Sequence, residues 1–236
     1  MRDPEQQISQ VRRMFSRVVP VYDLMNRLLS FREDVRWRRF VSRSLRLAPG
    51  DLVLDVACGT GDVALAVADR PEVDLVVGLD LVPPMLVKAR RKVTARGQSY
   101  RIPLLAGDAT RLPFPDHTFA AVTIAFGIRN IPFRVRAMAE MGRVLKPGGR
   151  LYVLEFTTPE KPWVRRLYKV YLTGLLPKLG QWIARYGEPY QYLAETILEF
   201  PSPSAFREEM RQAGLVAPRS HDLTKGIAWL HVAEKP

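Results

Sequence analysis

Apolar side chains recur at helical spacing near the start of the chain. Val11, Met14, Phe15 and Val18 share one face, Pro20 interrupts, and Trp37, Phe40, Val41 and Leu45 resume the stripe. A period near 3.6 predicts helices across residues 8–47. Pro49-Gly50 marks a turn. Beyond it, short apolar runs alternate with helical patterns. LVLDVA (52–57), LVVGLDL (75–81), IPLLAGDA (102–109), FAAVTIAFG (119–127) and GRLYVLEF (149–156) predict buried strands. DVALAVADR (62–70), PPMLVKARRKV (83–93) and RVRAMAEMGRVL (134–145) predict helices between them. This alternation predicts an α/β fold with a doubly wound, mostly parallel sheet covered on both faces.

The rhythm breaks after Pro159. Residues 160–200 are aromatic, basic and helix-like. A helix follows at 202–214, with Ser202 or Ser204 able to cap it and Gly214 able to end it, and GIAWLHVAEK (226–235) reads as a closing strand. The expected organisation is a core of 47–158 and 201–236, an N-terminal helical arm over 1–46 and an inserted helical lid over 159–200. Both additions could roof the carboxyl edge of the sheet, where open α/β sheets bind ligands.

Composition narrows the classes. A chain of 236 residues that is 47% hydrophobic has material for a large core, which excludes wholesale disorder. Cys58 is the single cysteine, so an intrachain disulfide framework and a cysteine-built zinc site are excluded. His117, His221 and His231 lie far apart, and no metal is expected. The net charge of +12 is concentrated in residues 1–46 (eleven arginines, five acids) and 159–187 (six bases, one acid). Such flanks suit a phosphate-rich surface, nucleic acid or anionic lipid, or are simply a solvated basic face. The chain has no 18-residue apolar run and no signal-like apolar stretch near its start, so it reads as cytoplasmic and non-spanning.

The candidate chemistry lies at the strand ends. Asp55-Val56-Ala57-Cys58-Gly59-Thr60-Gly61-Asp62 joins the first strand to the first core helix. Glycines at 59 and 61 permit a tight turn and close approach of backbone to a ligand. Alone, Gly59-x-Gly61-x-x-Ala64 also fits a dinucleotide fingerprint. The carboxylates argue otherwise: Asp55, Asp80 and Asp108 each fall near the end of a strand on one sheet edge, where a pyrophosphate would be repelled. S-adenosylmethionine, with its ammonium and sulfonium, suits such a notch. Asp80 is placed to accept the ribose hydroxyls and Asp108 the adenine amino group, while Gly59, Thr60 and Gly61 supply backbone. A single strand-end Asp is often only a helix cap; three beside a Gly-x-Gly turn are harder to dismiss. Cys58 reads as a small buried filler, since no histidine is near it in sequence.

These residues carry a resemblance. DVACGTGD, LD at 79–80, GDA at 107–109 and LPF at 112–114 resemble the motifs of class I methyltransferases that use S-adenosylmethionine. Tyr22-Asp23-Leu24-Met25-Asn26 with Ser30 and Trp37, and Arg143-Val144-Leu145-Lys146-Pro147-Gly148-Gly149 running on to Glu155-Phe156-Thr157, resemble the paired signatures of the menaquinone/ubiquinone C-methyltransferases. Phe126-Gly127-Ile128-Arg129-Asn130, Tyr190-x-Tyr192-Leu193, Phe200-Pro201 and Gly226-Ile227 with His231 extend the likeness across nearly the whole chain. The chain departs from the family at Asp34, where His or Gln is usual, at Ala125 and Thr157 for Ser, and at Ala233 for Gly.

The resemblance implies methylation of a ring carbon on a polyprenyl hydroquinone, demethylmenaquinol to menaquinol, with the methoxy-benzoquinol step of ubiquinone synthesis as the alternative. Loss of a phenolic proton raises electron density on the adjacent carbon, after which methyl transfer needs mainly alignment. Arg129 and Asn130, after the fourth strand, are the choice for the quinol side, with Tyr22, Asp23 and Asn26 closing over from the arm. Ala109 and Ala125 join the cofactor-binding set. Arginine stays protonated, so a water or a neighbouring carboxylate takes the proton. The basic, apolar residues of 163–193 are compatible with a lid resting on the inner face of an anionic membrane, and self-association stays open. A nucleic-acid methyltransferase would explain the charge, but Phe126-Gly127-Ile128-Arg129 replaces the Asn/Asp-Pro-Pro-Tyr site expected after strand four. A non-enzymatic lipid-binding protein is disfavoured by the intact carboxylates and glycines.

Overall fold

The computed structural model describes residues 4–175 and 188–236. Three helices form the arm: α1 (Pro4–Val18), α2 (Tyr22–Leu29) and α3 (Glu33–Ser44). The core runs β1 (Asp51–Val56), α4 (Asp62–Ala68), β2 (Val73–Asp80), α5 (Pro83–Ala95), β3 (Leu104–Ala106), β4 (Phe119–Ala125), a 3-10 turn (Ile128–Asn130), α6 (Arg134–Val144) and β5 (Leu145–Phe156). Next come α7 (Pro162–Val170), a π-helical turn (Tyr171–Leu175), α8 (Glu188–Leu198), α9 (Pro203–Gln212), β6 (Val216–Asp222) and β7 (Ala228–Glu234). The strands form one sheet in the order β3-β2-β1-β4-β5-β7-β6. β3, β2, β1, β4 and β5 run parallel; β7 is antiparallel to β5, and β6 to β7.

The sheet is doubly wound, and the two faces of β1 show why. Leu54 and Val56 pack on one side with Met138 and Met141 of α6 and Phe206 and Met210 of α9. Val53 packs on the other with Trp37 and Val41 of α3 and Ala64 and Val67 of α4. Successive side chains point to opposite faces, so a central strand with helices on both sides must be apolar at nearly every position. The buried exception on β1 is Asp55, and its register against β4 sets it opposite Thr123.

Two elements differ from expectation. The third strand shortens to three residues, because it is a sheet edge paired only with β2 and the chain turns away at Gly107, whose amide donates to the Asp80 carbonyl at 3.0 Å. β6, VAPRSHD, was not anticipated: it is an outer edge strand, mostly exposed, and carries Pro218 and a register irregularity, so no buried face imposes alternation on it. Ser202 does cap α9, its Oγ accepting from the Ala205 amide at 3.3 Å. A separate apolar cluster of Met25, Tyr168, Leu172, Ala194 and Ile197 ties α2, α7, the π-helical turn and α8 together beyond the carboxyl edge of the sheet.

Candidate active site

Two cavities meet at the carboxyl edge. The first is lined by Gly59, Asp80, Gly107, Asp108, Ala109 and Ala125, with apolar walls from Leu79, Val82 and Met85, and Ile8, Val11 and Phe15 of α1 on its outer side. No lysine or arginine lines it among the described residues. An anionic pyrophosphate would have no cation to meet there. The donor set instead fits S-adenosylmethionine: carboxylates for hydroxyl and amino donors, and an apolar slot for a flat base. The φ of Gly59 is +55°, and a Cβ built on it meets nothing within 4 Å, leaving open backbone beside Asp80.

Asp80 is buried. One of its oxygens accepts from the Gly59 amide at 2.7 Å, the other from the Val82 amide at 2.8 Å. Burial raises its pKa, against the pull of these backbone donors. Asp108 accepts from the amide and hydroxyl of Thr110, at 2.8 and 2.9 Å. Asp55 lies beneath the cavity and does not line it. Its oxygens accept from Thr123 Oγ1 at 2.7 Å and the Ala64 amide at 3.1 Å, and burial pushes its carboxyl up to about 7. It joins β1, β4 and the first turn of α4, and so shapes the glycine turn from below.

Thr60 and Gly61 are also outside the lining. Thr60 Oγ1 donates to Asp23 of α2 at 2.6 Å and accepts from Lys92 of α5 at 3.1 Å. Lys92 also pairs with Asp62, and Lys88 reaches Asp23 at 3.1 Å. Burial alone would raise the Asp23 carboxyl, but the Thr60 hydroxyl and the two lysines outweigh it and hold it below the usual carboxylate range. This network clamps the arm onto the glycine turn. Cys58 is buried, and burial pushes its thiol well up, so it is a packed neutral group.

The second cavity, of about 420 Å³, is lined mainly by α2, α3, α7 and α8, together with Phe126, Arg129, Asn130 and Phe156. Its apolar wall includes Met14, Met25, Trp37, Leu167, Leu172 and Ile197. Phe15, Tyr22, Phe126 and Asn130 border both cavities, so those four form the partition between them. Phe126 stacks on Phe156 at 4.4 Å and Trp37 leans on both. Burial raises the phenol of Tyr22, so it is a neutral hydrogen-bond partner at physiological pH.

Arg129 reaches the apolar cavity from the 3-10 turn. Its Nη1 donates to the Phe126 carbonyl at 2.8 Å and pairs at 2.5 Å with Glu155, which is fully buried on β5. Burial raises the Glu155 carboxyl, opposed by the charge of Arg129 and by backbone donors. Arg129 Nε and Asn130 Oδ1 are buried without a hydrogen-bond partner. Unsatisfied buried groups are costly, so two beside one cavity mark a place where a polar ligand atom would be held. Asn26 lines this cavity, whereas Asp23 does not.

Sequence reasoning missed Glu155, the aromatic partition and the pairing of Asp34 with Arg38. The i,i+4 spacing of Asp34 and Arg38 around Trp37 was the available signal for that pair. A lone glutamate in an otherwise apolar strand was the signal for Glu155. On α7, Val164 and Tyr168 turn inward while Trp163, Leu167 and Val170 are exposed beside Arg165, Arg166 and Lys169. Of the basic and apolar residues of 163–193, Leu176, Lys178, Leu179, Trp182, Ile183 and Arg185 lie outside the described residues. No helix among the described residues is long and apolar enough to cross a membrane, and they contain no cluster able to hold a metal.

Comparison with known proteins shows the family of this chain. The model of the ubiE/COQ5 methyltransferase family matches residues 2–235. A demethylmenaquinone methyltransferase of Thermus thermophilus is 49% identical over 94% of this chain and 100% of its own. A ubiquinone/menaquinone biosynthesis C-methyltransferase of a Geobacter species is 45% identical over 95% of this chain and 96% of its own. Among solved structures, a SAM-dependent methyltransferase from Aquifex aeolicus superposes with a TM-score of 0.63 at 20% identity, over 84% of this chain and 89% of that one, a likeness of fold.

Proposed function

We propose, because this chain belongs to the ubiE/COQ5 methyltransferase family, that it methylates a ring carbon of a polyprenyl hydroquinone, a demethylmenaquinol-type naphthoquinol in particular. The observation that carries this is the partition: an apolar cavity of about 420 Å³, in the roughly 300–1,000 Å³ range of small-molecule sites, shares Tyr22, Phe126 and Asn130 with the carboxylate-lined cavity. S-adenosylmethionine, when bound, supplies a methyl group on a positively charged sulfur. Asp80 and Asp108 would accept hydrogen bonds from its ribose hydroxyls and adenine amino group, beside Gly59, Ala109 and Ala125. Asp55, Thr60 and Gly61 act through the shape of the turn.

On the quinol side, the Arg129 cation favours an ionising phenol oxygen, and its pairing with Glu155 fixes where that cation sits. Asn130 orients a ring hydroxyl through its unpaired carbonyl oxygen. Tyr22 closes the partition and keeps water from the reacting atoms. The name of the Thermus relative favours the naphthoquinol, while that of the Geobacter relative covers both head groups. The arm (1–46) and the inserted segment (159–200) roof the core (47–158 and 201–236). The exposed apolar and basic face of α7 rests on an anionic membrane, from which the isoprenoid tail enters.

The test is methyl transfer from labelled donor to matched naphthoquinol and benzoquinol analogues. Faster label incorporation into the naphthoquinol is expected; exclusive use of the benzoquinol reverses the head-group assignment, and use of neither ends the reading. Cosedimentation with anionic vesicles, weakened by salt, tests the membrane contact. Equal binding to neutral vesicles at high salt contradicts it.

A further inference from the structure

We propose that Ser30 and Asp34 form the path by which the phenolic proton leaves the substrate; this rests on the quinol-methylation reading above. The proton needs an acceptor at the apolar cavity, and no histidine lines that cavity among the described residues. Only two carboxylates line it there, Glu33 and Asp34. Glu33 is half-buried and bound at 2.9 Å to Arg36, an exposed residue on the outer side of α3. Glu155 does not line it, and its oxygens face Arg129 and backbone amides. Asp80 and Asp108 belong to the other cavity.

Asp34 is buried in the first turn of α3. Ser30 Oγ donates to Asp34 Oδ1 at 2.9 Å and accepts from the Asp34 amide at 3.2 Å. A hydroxyl has one donor and two acceptor lone pairs, so one acceptor position of Ser30 remains, on a residue that itself lines the cavity. Asp34 Oδ2 pairs with Arg38, whose guanidinium lies 5.5 Å from the ring centre of Phe126, a member of the partition. Asp34, Ser30 and Arg38 thus run from the cavity wall to the place where the two cavities meet. The surrounding charges are Glu33 and Arg38 on α3, Asp62 of α4 at 4.0 Å from Arg38, Lys92 of α5 on Asp62, and Arg129 and Tyr22 in the same cavity wall.

The phenol O–H bond breaks and its proton passes to Ser30 Oγ, while the proton of Ser30 passes to Asp34 Oδ1. The phenol oxygen keeps the electron pair, which raises density at the neighbouring ring carbon. Once that carbon carries the methyl group, its hydrogen leaves as a proton that restores the ring O–H, and the proton held on Asp34 is the one released to solvent per turnover. A phenol is a far weaker acid than a carboxylic acid, so complete transfer ahead of methyl transfer is uphill. Transfer is completed as the ring carbon gives up electrons and its hydroxyl becomes strongly acidic.

The experiment compares Ser30→Ala and Asp34→Asn with the unaltered protein in single-turnover methyl transfer. The substrates are a naphthoquinol and its ring-halogenated counterpart with a more acidic phenol, and donor affinity is read by calorimetry. Expected are unchanged donor affinity, a loss of about 100-fold or more on the parent quinol, as for a general base, and a clearly smaller loss on the acidic one. Equal losses on both quinols, or Ser30→Ala within twofold of the unaltered rate on the parent, would overturn the proposal. Should Asp34→Asn fail to fold because Arg38 is left unpaired, Ser30→Ala keeps that pair and decides alone. Failure of the unaltered protein on both quinols sinks the functional reading, and this path with it.

Discussion

Arg129 and Glu155 offer a separation of folding from chemistry. The two side chains are 7% and 0% exposed and pair at 2.5 Å, while Glu155 also accepts from the amides of Arg129 and Phe156 at 3.3 and 2.9 Å. Replacing Arg129 with Met leaves a buried carboxylate with backbone donors alone. Breaking one side of a buried pair costs about 3–5 kcal/mol, which at roughly 2–4 °C per kcal/mol for a chain of this size is a fall of roughly 6–20 °C in Tm. The pH dependence has a definite sign. The folded-state pKa of Glu155 is already raised, and loss of the cation raises it further, so the stability held below the unfolded value is lost as pH rises through the folded one. The Arg129→Met variant should therefore lose more at pH 8 than at pH 5, measured by thermal unfolding at both. Adding Glu155→Gln removes the stranded charge and should recover most of the Tm at pH 8. It should not recover methyl transfer, because the cation beside the quinol is still missing. A double variant that regains both stability and turnover would refute the catalytic part of Arg129, and equal losses at both pH values would refute the account of Glu155.

Three further outcomes follow from the geometry. Asp80→Ala removes an acceptor for charge-assisted bonds worth about 1.5–3 kcal/mol, so the Kd for S-adenosylmethionine should rise about 10- to 150-fold by calorimetry; an unchanged Kd contradicts the cofactor assignment. Asp55 has a folded pKa of about 7, above its ordinary value, so its contribution to stability is present below pH ~4 and lost as pH rises through about 7. Asp55→Asn should flatten the decline of Tm between pH 5 and 8, and an unaltered slope would remove Asp55 as its source. Gly127→Ala places a Cβ 2.6 Å from that of Ala57 and 3.2 Å from Ile124 Cγ1. Overpacking there should cost about 1–3 kcal/mol in denaturant unfolding, and neutrality would show that the 3-10 turn after β4 gives way easily.

Much of the core was legible because its signals are local. The buried stretches of β1, β2, β4 and β5 are apolar on both faces, Asp80 ends β2, and Asp108 lies just past β3 at the same edge. Asp55 was legible as a strand-end carboxylate but not as a buried one, since only the pairing of β1 with β4 reveals Thr123 opposite it. β6 was hidden because an exposed edge strand has no face to bury and no reason to alternate. The apolar cavity was least visible. Its walls come from α2, α3, α7 and α8, and contacts such as Tyr171 Oη to the Leu29 carbonyl, at 2.8 Å, join residues far apart in sequence. Periodicity marks a helix face as buried without naming what it is buried against.

In the proposed reaction the quinol ring and the methyl donor meet at Tyr22, Phe126 and Asn130, which border both cavities. The most direct measurement is a crystal structure of the protein with S-adenosylhomocysteine and a short-tailed naphthoquinol. Expected are the demethylated product of the donor against Asp80 and Asp108, and the quinol ring between Asn130, Arg129 and Ser30 with its tail among the side chains of α7 and α8. A ring seated outside that cavity, or a donor product bound away from the two carboxylates, would contradict it.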